Sequence, residues 1–162
     1  MKFCFRCPDE SEYDTVYKFY CELIDTSPYT PNWKMGYFPS ETMLKEAMEC
    51  HELVFGELDG NPVAAVIIHD YVDYSEINLL GVLPAYTRRG FAKQMVDNAI
   101  IEAELSHHDY VRLEVLEGNT AAENLYVSMG FEHVKSRSIY YERTGSMNFK
   151  VYEYRIKKIK PQ

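Results

Sequence analysis

One change of pattern constrains this chain more than any other. Residues 75–82 have the composition of a strand, and the run stops at Pro84. Beyond a basic, glycine-containing turn, Phe91, Met95, Val96, Ala99, Ile100 and Ala103 recur on one face of a helix. The neighbouring segments agree with an α/β arrangement. Val111, Leu113 and Val115 alternate with Arg112, Glu114 and Leu116, which predicts a strand with two unlike faces and turns Glu114 away from the Val/Leu face. Next, Ala121, Ala122, Leu125 and Met129 lie at helical spacing, and Gly130 suits the left-handed position after a helix end.

The rest of the chain fills out one sheet. Residues 3–7 read as a short strand ended by Pro8, and Tyr13, Val16, Tyr17, Tyr20 and Ile24 then follow at helical spacing. Pro28, Pro31 and Pro39, with Tyr29, Trp33, Tyr37 and Phe38, make residues 25–39 a long aromatic loop. Ser40 can cap a second helix carrying Met43, Leu44, Ala47 and Met48. Residues 53–58 and 62–69 flank Asp59-Gly60-Asn61 as a hairpin, with Asp-Gly supplying the positive φ angles of a tight turn. Residues 131–141 and 148–156 predict a last hairpin. The order is β-α-α-β-β-β-α-β-α-β-β, a single α/β domain over residues 1–162 with a mixed sheet. No internal repeat, low-complexity tract or linker interrupts it.

Composition narrows the function. With 162 residues and 46% apolar content the chain can bury a real core in one domain. A formal charge of −8 argues against wrapping nucleic acid, which rests on Lys and Arg meeting phosphates, and favours a cationic partner such as an amine. No apolar run is long enough to span a bilayer, and the charged start lacks the apolar stretch of a secretory signal, so a cytoplasmic location is expected. Cys4-x-x-Cys7 has no second pair to complete a metal site. With Cys21 and Cys50 these residues read as thiols of a reduced protein, and no metal is assigned.

The chemistry concentrates at two segments. In the first, from Leu80 to Ala92, a strand passes through Arg88-Arg89-Gly90 into a helix. The first turn of a helix leaves amide N–H groups unpaired and carries partial positive charge, so it can hold a pyrophosphate by backbone alone. Gly90 and Ala92 keep side chains clear, while Arg88 and Arg89 add charge. Neither a Gly-x-Gly-x-x-Gly dinucleotide fingerprint nor a Gly-Lys-Ser/Thr phosphate loop is present. The second segment runs from Asn119 to Phe131, just after the strand carrying Glu114.

Together the two segments resemble the GNAT acetyltransferase superfamily. Val82-x-Pro84 with Arg88-Arg89-Gly90-x-Ala92 is similar to its pyrophosphate motif. Asn119-x-x-Ala122-x-x-Leu125-Tyr126-x-x-x-Gly130-Phe131 is similar to the motif that follows the next strand. The specific motifs occupy residues 76–131, between an acceptor-side loop at 25–39 and a C-terminal hairpin at 131–158. The family usually carries Arg or Gln where this chain has Thr87. The resemblance implies a mixed sheet of about seven strands with splayed central strands and about four helices. It also implies acetyl coenzyme A as co-substrate, with Leu80, Gly81 and Val82 against the pantetheine arm. Thr87, Arg88, Arg89, Gly90, Phe91 and Ala92 would then hold the pyrophosphate, with Asn119 and Tyr126 beside the cofactor.

In this reading the chain acetylates a primary amine, on a small molecule or a peptide N-terminus, by direct attack on the thioester. An amine with a pKa of about 10.4 is protonated at neutral pH, so a base must act. Glu114 is the first choice and Glu76 the rival. Tyr126 is the acid for the leaving thiolate, and N–H groups near Gly81 and Val82 would meet the developing oxyanion. A solvated strand carboxylate and a core tyrosine are the plain alternatives for these residues. Trp33, Tyr37, Tyr140 and Tyr141 are candidate walls of the acceptor site, where aromatic faces suit a cation. A catalytically silent coenzyme A-binding module is the competing function, and a homodimer is left open.

Overall fold

The computed structural model describes residues 2–26, 39–142 and 145–158. Its seven strands are β1 (Phe3–Arg6), β2 (Leu53–Leu58), β3 (Asn61–Asp70), β4 (Tyr74–Val82), β5 (Tyr110–Leu116), β6 (Glu132–Tyr141) and β7 (Gly145–Arg155). They form one sheet in the order β1-β2-β3-β4-β5-β7-β6. Every neighbouring pair is antiparallel except β4 and β5, which are parallel because helix α3 (Phe91–Leu105) carries the chain back between them. Asp59 and Gly60, at φ 52° and 82°, make the tight β2–β3 turn that Asp-Gly predicts.

Two helical layers cover the sheet. Helices α1 (Tyr13–Thr26) and α2 (Glu41–Glu49) bury Val16, Tyr20, Leu23, Leu44 and Met48 against Phe55, Ala65 and Ile67 on one face. On the other face, Met95, Val96, Ala99 and Ala103 of α3 and Tyr126 of α4 (Thr120–Ser128) meet Val66, Ile77, Val111, Leu113 and Val115. Strict alternation along β5 sets which of its residues look away from this second core. Arg112, Glu114 and Leu116 point to the α1–α2 side, while Val111, Leu113 and Val115 are buried under α3.

The last hairpin differs from the sequence pattern at one end. β7 begins at Gly145, three positions before the expected start at 148, because Met147 is buried and extends the inward alternation of Phe149 and Val151. Of the aromatic loop expected at 25–39, residues 25 and 26 finish α1 and residues 39 and 40 lead into α2, whose first turn Ser40 caps through the Met43 N–H. Residues 27–38 lie outside the described residues. Among the described residues no helix is long and apolar enough to cross a membrane.

Candidate active site

Two adjacent features of β4 create an opening in the sheet. The first is a bulge. Ala65 faces Gly81 and Ile67 faces Asn78, so Leu79 and Leu80 together oppose Val66. Leu79 sits at φ +51°, a conformation that costs a residue with a side chain about 1–2 kcal/mol. Helix α1 holds the bulge in place. The fully buried Tyr20 donates its hydroxyl hydrogen to the Leu79 carbonyl at 3.1 Å, and Leu23 packs on Gly81 so closely that a Cβ there would lie 2.1 Å from Leu23 Cδ2.

The second feature is a split. β4 and β5 pair only over residues 74–77 and 110–113, although β4 continues to Val82 and β5 to Leu116. Beyond that point β5 pairs with β7 alone, through Glu114, Val115 and Leu116. The Leu83 N–H donates to the Val63 carbonyl of β3 at 2.9 Å. Since successive amides of a strand point to opposite neighbours, the Val82 N–H faces the β5 side, into the split.

At the end of β4 a single helical turn, Pro84–Tyr86, leads to α3. Thr87 turns its hydroxyl back onto the Pro84 carbonyl at 2.9 Å, so it contributes no charge where a basic residue would. Arg88 and Gly90 take φ values of 62° and 82°. Gly90 is the N-cap of α3 and makes no side-chain cap bond, whereas Ser40 and Asn119 cap α2 and α4. The first backbone bond of α3 runs from the Gln94 N–H to the Gly90 carbonyl at 3.1 Å, so the N–H groups of Phe91, Ala92 and Lys93 have no partner within the helix. A Cβ built on Gly90 would meet nothing within 4 Å. Arg88 and Arg89 are exposed beside this turn, and the Arg89 guanidinium rests over Tyr86 and Phe91 at 5.7 and 5.9 Å. The Phe91 ring is buried against Phe3 at 4.5 Å, so this residue offers backbone only.

The remaining expected residues fall into different situations. Asn119 uses its side-chain oxygen to accept from the Ala122 N–H at 3.2 Å and cap α4. Tyr126 is 8% exposed and packs on Phe131 at 5.7 Å, and burial pushes its phenol up to about 12. Its hydroxyl has no hydrogen-bond partner among the described residues. Glu114 is the first β5 residue past the last β4–β5 pair, at the mouth of the split, and its carboxylate takes the Arg137 guanidinium of β6 at 2.6 Å. Glu76 lies within the paired stretch, opposite Arg112, and accepts from the Asn78 amide at 3.2 Å.

Tyr140 and Tyr141 cannot both line one wall, because adjacent strand residues point to opposite faces. Tyr141 shares the face of Arg137 and hence of Glu114, while Tyr140 is 72% exposed on the other. Trp33 and Tyr37 lie outside the described residues. The sequence marks Tyr20 only as an apolar helix position and does not mark Leu23 or Arg137 at all, since each acts across the fold and no local pattern shows its partner. Among the described residues no group of three His, Cys, Asp or Glu side chains could hold a metal, and the four cysteines are free thiols.

The description of the acetyltransferase (GNAT) family fits residues 18–131. The chain belongs to the GNAT family. This GNAT domain is similar to N-alpha-acetyltransferase 30 of Saccharomyces cerevisiae, with 39% identity over 69 residues, or 43% of this chain and 39% of that protein. It is also similar to the [ribosomal protein bS18]-alanine N-acetyltransferase of Haemophilus ducreyi, with 32% identity over 81 residues, or 50% and 56% of the two chains. The chain spans about half the length of the curated relatives it matches. Among solved structures, the GNAT fold here superposes on the PaiA N-acetyltransferase of Thermoplasma acidophilum in complex with coenzyme A. The TM-score is 0.76 at 15% identity, covering 96% of this chain and all of that one (100%).

Proposed function

We propose that this GNAT domain transfers an acetyl group from acetyl coenzyme A to a primary amine, on a small molecule or a peptide N-terminus. The observation that carries the reading is the alignment of two unsatisfied backbone edges: the uncapped first turn of α3 and the open side of β4 where it parts from β5. One suits a pyrophosphate and the other an amide-bearing arm, and both belong to a single stretch of chain from Leu80 to Ala92. The exposed Arg88 and Arg89 and the open space at Gly90 fit an anion approaching the helix. The similar proteins, an N-alpha-acetyltransferase and an alanine N-acetyltransferase of a ribosomal protein, support the peptide N-terminus among these acceptors.

When bound, acetyl coenzyme A supplies an activated acyl group. The chain's residues supply the rest. The N–H groups of Phe91, Ala92 and Lys93 hold the pyrophosphate, and the Val82 N–H, facing the split, is placed to donate to the carbonyl oxygen as it gains charge. Glu114 takes a proton from the ammonium, directly or through water, and Arg137 fixes the direction in which that carboxylate points. Tyr126, protonated throughout the neutral range, gives its proton to the departing sulfur and is restored by the second proton that the nitrogen loses as the amide forms. The free thiols suit a reducing compartment, which is the location we assign.

A screen of polyamines, amino acids, aminoglycosides and short peptides, read as released thiol, tests the reading. A hit in any class supports it. Coenzyme A binding measured as a melting shift, with no thiol released from any acceptor, would favour the silent coenzyme A-binding module instead.

A further inference from the structure

Arg112 lies on β5 two residues before Glu114 and on the same face, about 7 Å away along the strand. Its Nε is the one buried side-chain nitrogen or oxygen atom without a hydrogen-bond partner among the described residues. Carboxylates flank it in register on both sides, Glu76 on β4 and Glu153 on β7. Both are engaged elsewhere, Glu76 with the Asn78 amide at 3.2 Å and Glu153 with the Arg155 guanidinium at 3.0 Å. Arg112 itself makes no hydrogen bond or ion pair among the described residues. A guanidinium stays charged at any physiological pH, and its planar fork of donors matches a carboxylate better than any other common anion except phosphate. Hydrogen-bonded strands on both sides also hold it more firmly than a loop would.

We propose that Arg112 anchors the acceptor by binding a carboxylate carried close to the reacting amine. The inference rests on the acetyl-transfer reading and refines its substrate class. Glu114 and Arg112 present opposite charges along one strand. They complement an acceptor whose ammonium meets Glu114 and whose carboxylate meets Arg112. The side chain of an acidic second residue in a peptide has such a spacing, and the α-carboxylate of a free amino acid is the shorter alternative.

The test compares acceptors that differ by one charge, with released thiol as the readout. One pair is a short peptide with Glu or Gln as its second residue; the other is an amino acid and its α-carboxamide. The acidic member of at least one pair should be favoured in kcat/KM by about tenfold to a hundredfold, the range typical of a charged hydrogen bond. Whichever pair shows the preference identifies where the carboxylate sits. Arg112→Gln should bring that ratio close to one by raising KM for the acidic acceptor, and Arg112→Lys should keep part of it. A coenzyme A-induced melting shift that survives in both variants certifies their fold. If Arg112→Gln does not fold, the wild-type ratios and Arg112→Lys decide the matter. Equal rates within both pairs, with thiol released from each, would overturn the anchor and leave acetyl transfer standing. No thiol from any acceptor would overturn both.

Discussion

Tyr126 and Glu114 are placed by different means, and that difference sets how each should respond to substitution. Tyr126 is held by core packing against Phe131, and burial raises its phenol to about 12, so it stays protonated at any pH at which acetyl transfer would be assayed. Tyr126→Phe should lower kcat on the order of 10²–10⁴ with little change in KM for acetyl coenzyme A, as measured in steady-state assays on a good acceptor. An unchanged kcat would return the residue to a packing role. Glu114 is held by an ion pair, at the mouth of the split where β5 leaves β4. Glu114→Gln should lose activity chiefly at neutral pH and regain part of it as pH approaches the amine's own pKa, because a free amine needs no base. Recovery with Glu76→Gln instead would transfer the role to Glu76. The side on which Glu114 lies was legible in the sequence, since alternation with Val111, Leu113 and Val115 fixes it. Its pairing with Arg137 was not, because the two lie on strands separated by β7 and no local pattern links them.

At the level of elements, the strand-to-helix junction at Pro84 was the easiest part to read and the bulge in β4 the hardest. Proline, two arginines and glycine each leave a local signature. A leucine at φ +51° leaves none, since Leu79 is held there by Tyr20 and Leu23 from α1 and not by its own preference. The uncapped end of α3 gives a paired prediction. Gly90→Ala keeps the space but must hold a Cβ at φ 82°, which should cost about 1 kcal/mol and lower the melting temperature by roughly 2–4 °C. Its coenzyme A-induced melting shift should remain. Gly90→Glu adds a carboxylate at the same point and should abolish the shift, by clash and by charge. If coenzyme A still raised the melting temperature of Gly90→Glu by the wild-type amount, the pyrophosphate would not be at this helix end.

Across the whole molecule, the titration of buried tyrosines sets an alkaline limit. Burial raises the phenol of Tyr126 to about 12 and that of Tyr20 further still, while in the unfolded chain both ionise near 10. Their contribution to stability is therefore complete below about pH 10 and is lost as pH climbs toward the folded values. Melting temperatures should be level between pH 7 and 9 and fall beyond 10. Tyr126→Phe should make that fall shallower, and an equal slope in the variant would show that other groups dominate. On the acid side, Lys150 and the Tyr152 hydroxyl hold Glu123 below the usual carboxylate range, so the stability from that contact goes as pH drops through its folded value.

The short joint between β4 and β5 also governs how amide protons exchange with solvent. A sheet strand normally protects its amides through both neighbours, yet the far half of β4 has a neighbour only on the β3 side. The Val82 amide, facing the split, should trade its proton for deuterium quickly in the free protein, while the Leu83 amide, bonded to Val63, should trade slowly. Acetyl coenzyme A lying in the split would act as a substitute strand and bring the Val82 rate down toward that of Leu83, tying together two halves of a sheet that otherwise meet over four residue pairs.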